Sequence, residues 1–203
     1  MYHFSIPMAL MDFVPVFFFG YAAALLQRAF HSKMRKSHFS LFAAGTINIF
    51  AAGFLKALWK LLYAANICDF HPLNTMFLPV QSIGFLLAGL GIVLMMTSRK
   101  KVMLAVPPPV FSGSVIFIMM MVLGLGSICT VLSIIAVKMK KKGAMILFIA
   151  AFLCSMGMGA MSGLDVSLAW VNWMEQSINC VGQGLLMWGV IILDRAGLQE
   201  IKL

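Results

Sequence analysis

VMLAVPPPVFSGSVIFIMMMVLGLGSICTVLSIIAV, residues 102–137, decides how many times this chain crosses a membrane. From 114 onward it is one apolar run long enough for a helix to span a hydrocarbon layer of ~30 Å. The part before it is also apolar, but it carries Pro107, Pro108 and Pro109, followed by Ser112 and Gly113. Consecutive prolines favour extended chain rising about 3.1 Å per residue. The Pro-rich stretch 102–112 is therefore long enough to add a crossing, with Ser112 and Gly113 turning into the next helix. An extended crossing has to be enclosed by protein, because lipid offers its backbone no hydrogen-bond partners. The alternative leaves 102–113 as a cytoplasmic or re-entrant loop.

The rest of the chain makes a membrane setting unavoidable. Its 203 residues are 62% hydrophobic and 10% charged, with a mean hydropathy of +1.00. Soluble domains carry about 25% charged residues, so this chain has too little polar surface to cover itself in water. Six segments meet the criterion of about 20 mostly apolar residues: 5–27, 39–65, 73–97, 114–137, 143–164 and 166–193. They are too long and too little alternating for a β-barrel. The expected fold is an all-α integral membrane protein, a polytopic helical bundle of six to seven transmembrane segments in one domain spanning 1–203. The start, MYHFSIPMALMD, lacks the basic residues and small-residue cleavage site of a signal peptide, so 5–27 is read as a retained helix.

Charge supplies the topology. The net charge is +9, and thirteen of the fifteen Lys and Arg lie at segment ends: Arg28, Lys33, Arg35, Lys36, Arg99, Lys100, Lys101, Lys138, Lys140, Lys141, Lys142, Arg195 and Lys202. Basic residues stay on the cytoplasmic side. Six crossings split the thirteen almost evenly between the two faces. Seven crossings put all of them inside, with the N-terminus outside and the C-terminus cytoplasmic in a cell membrane. Anionic lipid headgroups are natural contacts for such a face. Nucleic acid is excluded as a partner, because no soluble module is present to bind it.

A shift of the chain against itself by 98 residues gives ten identities between residues 45 and 91, among them Gly45/Gly143, Phe50/Phe148, Asn74/Asn172, Gly84/Gly182 and Gly91/Gly189. KMRK at 33–36 and KMKK at 138–141 match at a different offset. Both basic loops belong on one face, so the expected repeats, 5–98 and 114–195 joined by a linker at 99–113, run parallel. Parallel three-helix repeats joined by a linker crossing resemble the architecture of SWEET-type sugar transporters. The resemblance is to architecture alone, since the proline–glutamine motif of PQ-loop proteins is absent; PVQ at 79–81 comes nearest.

Ionisable groups inside a membrane are rare and face the bundle interior. In the last segment Asn172, Glu175, Asn179 and Gln183 fall on one helical stripe, with Gln176 beside it. An amide ladder can be mere interhelical glue, but a carboxylate is costly glue, so Glu175 is the strongest candidate for function. The second segment carries Asn48, Ala52, Lys56, Trp59, Lys60 and Tyr63 at spacings of three and four. Lys56 is the expected partner of Glu175, and Lys60 is expected to snorkel to the surface or sit in a wet mouth. The third segment offers Asn74 and Gln81, the counterparts of Asn172 and Asn179; Phe77 stands where the second copy has Glu175. Trp59, Trp170 and Trp173 either anchor the interface or stack on a ligand. Pro79 should kink the third helix.

Cys68, Asp69 and His71 share the loop 65–74, but no further ligands at metal spacing accompany them. Asp69 or Asn74 is expected to cap a helix there, and Asp165 to cap the last one. No metal, cofactor or catalytic residues are expected, and Glu175, Asn179, Asn172, Gln183, Lys56, Gln81, Asn74 and Trp173 are the candidate ligand-binding residues. The reading is a small-molecule or ion-coupled transporter, or its substrate-binding subunit, with a polar intramembrane cavity centred on Glu175. Its alternatives are a non-transporting receptor, sensor or accessory subunit and, third, a lipid-active intramembrane enzyme. Membrane lipid and a small polar ligand of unknown identity are the expected partners, and a homo- or hetero-oligomer is open.

Overall fold

In the computed structural model, which describes residues 5–97, 114–161 and 169–201, the chain is built from α-helices. In order these are α1 (Ile6–Met11), α2 (Phe13–Phe30), α3 (Lys36–Ala64), α4 (Pro72–Thr75), α5 (Phe77–Thr97), α6 (Ser114–Lys138), α7 (Lys142–Met161) and α8 (Ala169–Arg195). Together α1 and α2 make one span, as do α4 and α5, so six spans among the described residues are long and apolar enough to cross a membrane. They fall within a few residues of the six segments read from composition. The Pro107–Pro109 stretch and the basic loop 99–101 lie outside the described residues.

Local sequence sets the breaks and ends. The Ser5 hydroxyl accepts from the Met8 amide and opens α1, with Pro7 in its first turn. The first span breaks at Asp12, one turn before Pro15, and the third breaks at Met76, one turn before Pro79. A proline cannot donate to the carbonyl four residues back, so the interruption lies upstream of the ring. The C-termini of α3, α6 and α8 are closed by left-handed residues. At Lys140 (φ 58°) the Lys141 amide returns to the Ala136 carbonyl and the Lys140 amide to that of Val137. Asn66 and Gly197 repeat the pattern after α3 and α8.

Side-chain contacts fix the direction of every span. Asp12 meets Lys60, and Gln27 donates to the Thr46 hydroxyl, so α2 and α3 are antiparallel. Gly84 lies against Ile49 and Gly91 against Phe42, so α3 and α5 are antiparallel. Gly182 faces Cys154 and Gly189 faces Phe148, which makes α7 and α8 antiparallel. The tight turn at Lys140 folds α7 back along α6. Between α2 and α8, Phe18 lies beside Gly184, and Lys33 Nζ donates to the Ile201 carbonyl. These two helices therefore run parallel, and by the same chain of contacts so do α5 and α6. Partial burial of Lys33 in this tail contact pushes its pKa below the usual lysine value.

The spans form a closed ring. Each packs on its neighbour in the order α2, α3, α5, α6, α7, α8, and α8 returns to α2. The ends of α2, α5, α6 and α8 and the starts of α3 and α7 share one end of the bundle. That end holds Arg28, Lys33, Arg35, Lys36, Lys138, Lys140, Lys141, Lys142 and Arg195. The core is apolar, with Phe30, Phe42, Ile92, Leu132, Ile135, Phe148, Val190 and Leu193 sealed from the surface. Glycine lets backbones touch on two seams. A methyl group at Gly45 would overlap the backbone of Ala88, and one at Gly124 would overlap the Phe85 carbonyl.

One contact occurs twice: buried Phe42 sits against Gly91, and buried Phe148 sits against Gly189. The glycines are 98 residues apart, as the sequence shift has them, but the phenylalanines are 106 apart. The shift of 98 pairs Gly45 with Gly143 instead, yet Gly45 is wedged against α5 while Gly143 faces open space. The 98-residue register thus matches contacts for α5 and α8 but not for α3 and α7. Phe42 and Gly91 are 49 residues apart in sequence, whereas Phe148 and Gly189 are 41 apart.

Candidate functional site within the membrane spans

Four charged side chains gather in the half of the bundle away from the basic end. Asp12 stands at the break between α1 and α2, about 9 Å along its span from Ile6. Its Oδ2 lies 2.8 Å from Lys60 Nζ of α3, and both side chains are 6% exposed. Lys60 therefore does not snorkel, which corrects the expectation from its place near a helix end. The break at Asp12 brings a carboxylate to it inside the bundle, and pairing is the stable alternative to a long reach for water. The other carboxylate oxygen of Asp12 is buried and has no hydrogen-bond partner among the described residues.

Lys56, one turn deeper on α3, lies with Nζ 3.9 Å above the Phe77 ring of α5. Lys60, Asp12 and Glu175 of α8 are all within electrostatic reach of it. Among the described residues Lys56 and Glu175 do not close a direct salt bridge with one another. Lys56 is thus associated with both Phe77 and Glu175, the two residues that the 98-residue shift makes counterparts. Two carboxylates and two ammonium groups balance to zero net charge in this cluster.

The amides line the same helix as Glu175. Asn172 is buried, Asn179 and Gln183 are half-buried, and the side-chain oxygens of Gln176 and Gln183 are buried without a donor among the described residues. On α4 and α5, Asn74 and Gln81 are half-buried. Trp173 is 42% exposed, on the face of α8 turned away from Glu175. Trp170 is exposed too, so both flank the outside of the bundle.

The loop 65–71 folds back on α3 at Trp59, the residue before Lys60. Asp69 accepts a 2.9 Å hydrogen bond from the Trp59 indole, and His71 meets the Trp59 ring edge-on. Asp69 thus holds the loop to α3 and does not cap a helix, contrary to expectation. The helix that follows starts at Pro72 with no side-chain cap. Asp165 lies outside the described residues. No group of three or more potential metal ligands occurs among the described residues. A separate groove opens between α6 and α7, on the outer flank and away from the charged cluster.

Sequence reasoning missed Asp12. The signal was present, since a lone carboxylate seven residues into an apolar segment obeys the same rule that singled out Glu175. No family model matches this chain, and no curated protein or solved structure is significantly similar to it.

Proposed function

We propose that this protein is a transporter of a small polar solute, or the substrate-binding subunit of one, with its site centred on Glu175 and Lys56. The observation that carries the reading is the placement of Lys56, within electrostatic reach of Glu175 but not neutralised by it in a direct pair. Lys60 is already paired with Asp12 through Oδ2. An unclosed pair of opposite charges costs several kcal/mol in a low-dielectric interior, and a solute that bridges the two relieves that cost. The buried oxygens of Asp12, Gln176 and Gln183 favour a solute rich in hydrogen-bond donors. Glu175 takes its amine or a coupling proton, and Asn172, Asn179, Gln183, Asn74 and Gln81 complete the polar lining.

The proposal includes two parallel three-helix units, α1–α5 and α6–α8. The ring order and the twin contacts Phe42–Gly91 and Phe148–Gly189 support it, because a half-turn about the bundle axis exchanges the units. It also includes an odd number of crossings. The end of α5 at the basic end and the start of α6 at the other support it. The basic end is then cytoplasmic and the charged cluster lies in the outer half.

Uptake into proteoliposomes tests the function. With a panel of neutral amino acids, amines and sugars, the wild-type chain should accumulate at least one class, and Glu175→Gln and Lys56→Gln should each abolish that uptake while the bundle stays folded. Unchanged uptake by Glu175→Gln would remove the glutamate from the mechanism. Ligand-dependent thermal stabilisation with no uptake of any solute would favour the receptor reading.

A further inference from the structure

The groove between α6 and α7 belongs to neither the charged cluster nor the packed seams. It measures about 550 Å³ and is lined by Gly126, Thr130, Ser133 and Lys138 of α6 and by Ile149 and Phe152 of α7, among others. Gly126 and Phe152 mark its inner end, and Lys138 stands at its mouth at the basic end of the bundle. Lys140, Lys141 and Lys142, all exposed, flank that mouth.

The groove's dimensions match one leaflet. From Gly126 to Lys138 the helix rises about 18 Å, slightly more than half of a ~30 Å hydrocarbon core. A slot that begins at a headgroup and ends just past the midplane has the length of one acyl chain. Its walls are apolar apart from two hydroxyls, and the Ser133 and Thr130 side chains are small enough to leave the slot open. A cationic mouth above an apolar slot complements an anionic head on an apolar tail.

We infer that the α6–α7 groove is a specific site for one anionic glycerophospholipid, its phosphate held at Lys138 and the neighbouring lysines, and one acyl chain laid between Gly126 and Ile149. The site requires no particular orientation of the bundle, because the lipid comes from whichever leaflet meets the basic end. It is also independent of the transport reading.

The test is native mass spectrometry of the full chain released from nanodiscs of equal phosphatidylglycerol and phosphatidylcholine. The wild-type protein should retain one phosphatidylglycerol in preference to phosphatidylcholine. Lys138→Gln should lower that retention roughly fivefold and leave retained phosphatidylcholine unchanged. Ser133→Phe, which fills the slot, should remove the bound lipid altogether, with thermal unfolding in detergent reporting that the bundle is intact. Should Ser133→Phe unfold the protein, Lys138→Gln alone decides. Equal retention of the two lipids, or full retention of phosphatidylglycerol by Lys138→Gln, would overturn the site. So would a disulfide-linked dimer formed through Ile134→Cys with no lipid retained, which would make the groove a contact between copies.

Discussion

Asp12 and Lys60 form a buried ion pair in the half of the bundle away from the basic end. Taking both charges out of water is costly, and their contact at 2.8 Å offsets that cost only while both are present. Asp12→Asn or Lys60→Met should therefore each destabilise the protein by about 3–5 kcal/mol, read as a fall in thermal midpoint in detergent. The double variant should recover much of that loss, because no lone charge is left buried. Two single losses that simply add in the double variant would show that the pair is not coupled. Lys56 and Glu175 were expected as a pair because both lie at similar depth in their segments, and among the described residues they do not close a direct ion pair. The Asp12–Lys60 pair was not expected, because spacing within one segment says nothing about which residue of another segment arrives beside it. The break before Pro15 makes that meeting.

At the scale of helices, the glycine seams set how closely the spans approach. An alanine at Gly124 has no room against the Phe85 carbonyl, so Gly124→Ala should cost about 1–3 kcal/mol. Gly143→Ala, at a position that faces open space near the start of α7, should be neutral or raise stability by up to about 1 kcal/mol. Thermal unfolding of the two variants side by side checks the contrast. The spans themselves were readable from apolar run length to within a few residues, because lipid demands a fixed thickness of apolar helix. Which glycine meets which neighbour was less readable. Gly91 and Gly189 do hold matching places against Phe42 and Phe148, but the ungapped shift misaligned α3 with α7. The second copy has 41 residues from Phe148 to Gly189 against 49 from Phe42 to Gly91, and the 105-residue offset of KMRK and KMKK points the same way.

At the scale of the whole molecule, contacts along the ring make α5 and α6 parallel and collect the described basic clusters at one end. From sequence an odd number of crossings was expected, since only an odd number puts every basic loop on one face; the described residues account for six spans. The charged cluster of Asp12, Lys56, Lys60 and Glu175 occupies the opposite half. The make-up of that cluster was not readable, because its residues come from the α1–α2 break, α3 and α8 together. The most direct measurement of this account is cysteine accessibility in cells, with exposed Cys68 replaced by serine and single cysteines placed at Val115 and Gly143. A membrane-impermeant thiol reagent added outside should label Val115→Cys at the start of α6 and fail to label Gly143→Cys at the start of α7. Labelling of Gly143→Cys from outside, with Val115→Cys protected, would contradict it.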